Sequence, residues 1–183
     1  MRFDPITMTD RTGRTVLLRS ADISDGEALV RYLRETSAET PFLLREPDEV
    51  TLTPAQEESF IQSRIDAPRE LMLLAEADGE LAGCGSLMSM GPFRRYAHRC
   101  EVALALYRRY CGAGIGKMLL ETLLNEAKAL GYEQAELEVM AQNRAAVALY
   151  EKLGFTRCGV LPNNMKYAPD RYDDAYRMVK PLR

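Results

Sequence analysis

Residues Cys111-Gly112-Ala113-Gly114-Ile115-Gly116-Lys117 set three glycines at alternate positions. Starting within them, Ile115, Leu119, Leu123, Ala127 and Leu130 recur at the spacing of an amphipathic helix. The preceding run Cys100–Tyr107 reads as a strand. Strand, glycines, helix is an arrangement in which unpaired N–H groups and the helix dipole can receive a phosphate. Glycine suits the turn because the backbone must approach the anion and take positive φ. Two nucleotide loops fail on this string. A P-loop requires glycine where Cys111 stands and Ser or Thr where Met118 stands, and the dinucleotide fingerprint requires glycine at Lys117.

A second constellation runs from Asn143 to Phe155 as Asn143-Arg144-Ala145-Ala146-Val147-Ala148-Leu149-Tyr150-Glu151-Lys152-Leu153-Gly154-Phe155. Asn143 is a natural N-cap for that helix. Tyr150 places a phenol on it, a group that stays protonated at neutral pH and can donate to a departing thiolate. The two strings follow the loop [Q/R]-x-x-G-x-[G/A] and the ending N-x-x-A-x-x-L-Y-x-x-x-G-F, in order and at the expected separation. On these residues the chain resembles the GNAT superfamily of N-acetyltransferases, from about Thr15 to the carboxyl end.

The resemblance implies acetyl-CoA as cosubstrate. Its contacts would be Cys111, Gly112, Ala113, Gly114, Ile115, Gly116 and Lys117 of the loop, the main chain of Leu104, Ala105 and Leu106, and Asn143 and Tyr150. It implies direct attack by a primary amine in a ternary complex, the acceptor being a small cationic amine or polyamine, or a peptide or protein amine. Tyr150 then serves as the acid toward the CoA sulfur. Two carboxylates compete for the base, Glu138 in Leu137-Glu138-Val139 and Glu101 on the strand before the glycines. Where this superfamily has Gln or Arg the chain has Cys111, so the backbone amides carry phosphate recognition, with Arg108, Arg109 and Lys117 as compensating cations. A helix N-terminus beside Cys111 would lower its thiol pKa. The alternative reading is a catalytically silent acyl-CoA-binding module. A homodimer is the assembly common among such proteins.

The elements that must position these groups follow from patterning. Thr15–Arg19 is β-rich, and Ser24 offers an N-cap for a helix through Ala28, Leu29, Tyr32 and Leu33. Thr53-Pro54 starts a second helix with the stripe Phe60, Ile61 and Ile65, stopped by Pro68. Leu71–Ala77, the turn Asp78-Gly79 and Leu81–Met90 read as a hairpin. Glu136–Met140, Phe155–Val160 and Tyr172–Val179 supply further strands, and Gly131 and Gly154 end helices. The expected fold is one α/β domain of the GNAT type over residues 15–183, with a mixed, mostly antiparallel sheet of six to seven strands and about four helices. Residues 1–14 read as a loose lead-in.

Composition bounds the remainder. The 183 residues are 46% hydrophobic and 28% charged, with formal net charge −3. That excludes general disorder and argues against a nucleic-acid partner. Four widely spaced cysteines and one histidine signal neither a metal site nor a disulfide framework, so a reducing cytoplasmic setting is expected. No 18-residue apolar run suggests a membrane. Charge is unevenly spread: residues 22–66 hold eleven acidic side chains against four arginines, and residues 94–117 hold six basic ones against Glu101. An acidic acceptor side and a basic cofactor side are therefore expected.

Overall fold

Alternation of buried and exposed positions along short β-branched and leucine-rich runs, broken by Gly, Pro and Asp turns, builds eight strands and four α-helices. In the computed structural model, all 183 residues of which are described, these are β1 (Ile6–Thr9), β2 (Thr15–Ser20), α1 (Gly26–Glu39), α2 (Pro54–Asp66), β3 (Leu71–Ala77), β4 (Glu80–Ser89), β5 (Arg99–Leu106), α3 (Ile115–Ala129), β6 (Gln134–Met140), α4 (Arg144–Lys152), β7 (Thr156–Ala168) and β8 (Arg171–Pro181). The strands hydrogen-bond in the order β1-β2-β3-β4-β5-β6-β8-β7. Two compact units divide the chain, residues 1–88 with 103–123 and residues 89–102 with 124–183, so β5 belongs partly to each.

In the first unit β1, β2, β3 and β4 form an antiparallel meander with Leu18 opposite Ala75 and Leu73 opposite Gly85. Asp78 and Gly79 take φ of 51° and 84°, which is the backbone a two-residue hairpin turn needs. Val16, Leu18, Leu71, Leu73 and Ala75 are fully buried, and Leu29, Tyr32 and Ile61 pack from α1 and α2. Ser24 does not cap α1: Asp22 caps a short 3-10 turn over Ile23–Asp25, its carboxylate accepting from Ser24 N–H, and α1 follows with Asp25 at its N-cap position and no side-chain capping bond. At α2 the expected start holds: Thr53 and Gln56 form a reciprocal capping box with Pro54 in the first turn. The α2 stripe differs from expectation. Phe60 is 43% exposed under the Arg64 guanidinium, and the buried face is Glu57 with Ile61.

Residues 1–14 contain a paired strand, which brings the strand count to eight. Its end is tied by Asp10, buried and accepting from Thr12 N–H and Oγ1 at 2.7 Å, Arg14 N–H at 3.0 Å and Arg14 Nε at 2.8 Å. Burial works to raise this carboxyl, but those hydrogen bonds outweigh it and hold it far below its ordinary value of 3.8. A lowered folded pKa contributes stability above the unfolded value that is lost as pH falls through the folded one. Asp10→Asn is therefore expected to lower Tm at pH 7, with the deficit shrinking as pH falls below 3.8; thermal melts of both proteins from pH 7 to pH 2 measure it.

In the second unit β5 and β6 pair in parallel, Arg99 opposite Gln134 to Glu101 opposite Glu136. β8 runs antiparallel to β6, and β7 pairs antiparallel with β8 as a long hairpin extending well past the expected ends. Ala135, Leu137, Ala175 and Met178 form its interior. Gly131 and Gly154 take φ of 79° and 86°, closing α3 and α4 as the sequence indicates. No helix is long and apolar enough to cross a membrane.

Candidate active site

After β5 the chain makes a 3-10 turn at Arg108–Tyr110 and enters the glycines. Gly112 and Gly114 have φ of 81° and 96°, while Gly116 already lies in α3. The amides from Gly112 through Lys117 find no acceptor in the chain, and the first bond of α3 is Met118 N–H to the Gly114 carbonyl. A row of unsatisfied donors at the positive end of a 15-residue helix is built to receive an anion.

The strand feeding this turn is gripped by one face of α1. Tyr32 O–H donates to the Ala105 carbonyl at 2.6 Å and accepts from Cys84 N–H at 3.3 Å. Burial leads the effects that raise the Tyr32 phenol well above its usual value, so it stays a donor. One turn on, the Glu35 carboxylate adds to burial in pushing the Tyr107 phenol up to about 12, and a further turn on Glu39 accepts from Arg108 N–H at 2.6 Å. Residues 32, 35 and 39 fall on one helical face. Leu104, Ala105 and Leu106 are thus held in the same unit as the glycine turn.

Sequence reasoning missed Arg11. The turn after β1 reaches the glycines: Arg11 N–H donates to the Ala113 carbonyl at 2.9 Å, and the Arg11 side chain lies 3.4 Å from where a β-carbon on Gly114 would sit. Its guanidinium has no carboxylate partner. A signal existed, since Arg11-Thr12-Gly13-Arg14 is a turn sequence carrying two cations, but only the fold reveals where it goes. Of the cations expected to compensate for Cys111, Arg109 stacks on Tyr107 and Tyr110 and meets Glu80 at 3.4 Å, and Lys117 meets Glu121 at 3.3 Å. Both pairs are exposed and cheap to break. Arg94, Arg95 and Arg99 belong to the second unit, with Arg99 bidentate on Glu136. The Cys111 thiol is raised, not lowered: burial dominates, and the nearby Glu39 charge adds to it against Arg108.

The second unit carries the other candidates. Tyr150 is 6% exposed, sits edge-to-face with Phe155 at 5.9 Å, and its hydroxyl makes no hydrogen bond. Burial pushes its phenol up to about 12. The spacing Leu149-Tyr150 to Gly154-Phe155 has a local cause. The Tyr150 carbonyl accepts from Leu153 and Phe155 N–H, and left-handed Gly154 turns the chain so that the two rings meet. Asn143 caps α4, accepting from Ala146 N–H at 3.3 Å, which leaves its side-chain NH2 without a partner.

Glu101 stands opposite Glu136 on β5, and Glu138 lies two residues along β6, so the three carboxylates share a sheet face. Glu136 is occupied by Arg99 and Gln134. Glu138 is exposed, accepts from Asn164 Nδ2 at 2.9 Å and meets Arg177 Nε at 3.5 Å. Glu101 is half-buried and has no hydrogen bond or ion pair. No grouping of His, Cys, Asp and Glu is disposed to hold a metal ion.

Fold and site together define an acyl-CoA-type transferase, and comparison with known proteins agrees. The profile of the Acetyltransferase (GNAT) family matches residues 29–155. The chain belongs to this family, whose acyl donor is acetyl-CoA. It is similar to the acetyltransferase of GNAT family from Streptococcus pneumoniae, 30% identical at a TM-score of 0.86, covering 91% of this chain and 99% of that one. A phosphinothricin acetyltransferase from Sinorhizobium meliloti, in complex with acetyl-CoA, shares the fold at a TM-score of 0.79 and 22% identity over 96% of this chain and 89% of that one. The [Ribosomal protein bS18]-alanine N-acetyltransferase of Salmonella typhimurium is 42% identical over 69 residues, 38% of this chain; the match spans 46% of that enzyme's length.

Proposed function

We propose that this protein transfers the acetyl group of acetyl-CoA to a primary amine by direct attack in a ternary complex. The observation carrying the reading is the row of free amides from Gly112 through Lys117 at the head of α3. These donors suit the CoA pyrophosphate, with Arg11 and Arg108 as cations beside them. The name of the Salmonella relative, an alanine N-acetyltransferase, supports an amine as acceptor. Asn143 offers its unpaired NH2 to the pantetheine arm.

Three chemical jobs remain. A base takes a proton from the acceptor's ammonium group; the amine attacks the thioester carbonyl, forming a C–N bond; the C–S bond breaks as the thiolate is protonated. We assign the last step to Tyr150, whose phenol has no competing partner and keeps its proton far above neutrality. For the base we favour Glu101 over Glu138, because Glu138 is neutralised by Arg177 and engaged by Asn164. Glu101→Gln is expected to lower kcat about 100-fold, whereas Glu138→Gln changes it less than about threefold. Reversed magnitudes would reassign the base.

Thiol release from acetyl-CoA over a panel of amines, amino acids and peptides tests the activity. Tight acetyl-CoA binding with no amine-dependent release would favour the silent binding module. Arg11→Ala is expected to weaken acetyl-CoA binding about tenfold, by loss of a charge-assisted contact, and to flatten the dependence of Kd on salt. Titration calorimetry at two ionic strengths measures both.

A further inference from the structure

The peptide joining Ala105 to Leu106 is held from three directions. Tyr32, 2% exposed on α1, donates its O–H to the Ala105 carbonyl at 2.6 Å and accepts from Cys84 N–H of β4 at 3.3 Å. Gly83 lies directly against the same peptide: a β-carbon there would stand 2.6 Å from the Ala105 oxygen and 3.2 Å from the Leu106 α-carbon. One residue on, Tyr107 N–H donates to the Ala82 carbonyl at 3.0 Å, and the Tyr107 ring meets the Tyr32 ring edge-on at 5.1 Å. All these residues belong to the first unit.

These bonds fix where the remaining main-chain groups point. The C=O and N–H of a trans peptide point in opposite directions. Because the Ala105 carbonyl and the Tyr107 N–H both face β4, the Leu106 N–H and C=O both face away from it. On that outer edge β6 is in register with Arg99 to Glu101 and no further. Leu106 therefore presents a donor and an acceptor on an open strand edge, just before the glycine turn. A carbonyl that accepts a hydrogen bond polarises the N–H of its own peptide, so the Tyr32 phenol makes the Leu106 amide a better donor.

We infer that Tyr32 is a positioning residue for cofactor choice: its hydroxyl holds and polarises the Ala105–Leu106 peptide so that the Leu106 edge grips an amide of the pantetheine arm. The free amides of the glycine turn answer to any diphosphate. The Leu106 edge answers to the arm, and so separates CoA from a plain nucleotide diphosphate. This rests on the proposed acetyl transfer for its cosubstrate, but its test reads binding and needs no turnover.

The test is titration calorimetry with CoA and with ADP on wild type, Tyr32→Phe and Thr36→Val. Wild type is expected to bind CoA about tenfold or more tighter than ADP. Tyr32→Phe should weaken CoA binding about three- to tenfold, the range of one hydrogen bond, and leave ADP within about twofold. Thr36→Val separates binding from stability. Thr36 is buried one turn further along α1 and donates to the Tyr32 carbonyl at 2.7 Å, so its loss destabilises the same helix without removing a bond to β5. That variant should keep the wild-type preference for CoA. Wild type alone gives a second reading, which decides the matter should Tyr32→Phe not fold: CoA should slow deuterium uptake at Leu106 N–H, and ADP should not. An unchanged CoA-to-ADP ratio in Tyr32→Phe, an equal loss in Thr36→Val, or no CoA-specific protection at Leu106 overturns the inference. If no amine is acetylated while the Tyr32-dependent preference for CoA holds, the acetyl-transfer reading fails and this one stands.

Discussion

Tyr150→Phe is expected to lower kcat by about 100- to 1,000-fold while leaving the Kd for acetyl-CoA within about threefold and Tm nearly unchanged. The substitution removes one oxygen that bonds to nothing in the chain, and phenylalanine keeps the edge-to-face contact with Phe155. No cavity forms and no buried partner is orphaned, so stability has little to lose. What disappears is the proton for the departing thiolate. Because burial pushes the phenol up to about 12, the wild-type rate should show no alkaline limb from Tyr150 across the working range. A raised folded pKa gives stability that is full below the ordinary 10.0 and declines as pH rises through about 12. The variant should therefore lose less stability than wild type above pH 10. Steady-state kinetics with thiol detection, and melts at neutral and alkaline pH, check each part. A Tyr150→Phe enzyme with wild-type kcat would remove the phenol from the chemistry.

Gly114→Ala is expected to weaken acetyl-CoA binding about 10- to 100-fold. At φ of 96° an L-residue is strained by roughly 1–3 kcal/mol, and relief of that strain rotates the peptide that presents the Ile115 amide. Space is not the obstacle, since the added carbon would meet Arg11 at 3.4 Å, an ordinary contact. Gly79→Ala is the matched control. Its φ is 84° and nothing lies within 4 Å of the added carbon, but it sits in the β3–β4 hairpin turn. Both variants should lose stability, and only Gly114→Ala should lose cofactor affinity. Equal affinities for the two would disconnect the glycine turn from the phosphates.

The legible part of this site was local. A glycine turn with its helix, an N-cap with its tyrosine, and Gly154 with Phe155 are each written within about a dozen consecutive residues, so turn chemistry and helical period suffice to find them. Hidden was everything that depends on partners distant in sequence. Glu138 reads as a strand carboxylate, and only the β6–β8 register sets it against Arg177. Glu57 reads as an ordinary first-turn acid, and only the packing of α2 turns it inward. The segment before Thr15 is polar and carries Pro5 and Gly13, so it reads as loose; four residues of pairing to β2 and the Asp10 hydrogen bonds are what order it. Cys111 misled for a related reason. Its helix-terminus position argued for an acidic thiol, but burial and the neighbouring Glu39 win.

The bond from Arg11 N–H to the Ala113 carbonyl ties the turn after β1 to the glycine turn. A short edge strand such as β1 ordinarily opens at little cost, and its motion is invisible to ligand binding. Here the opening of β1 and the loosening of the glycine turn share one hydrogen bond, so they form a single exchange unit. Arrival of acetyl-CoA should slow deuterium uptake at Arg11, about a hundred residues upstream of the amides it touches, and unzipping of the first strand would set how long the cofactor stays.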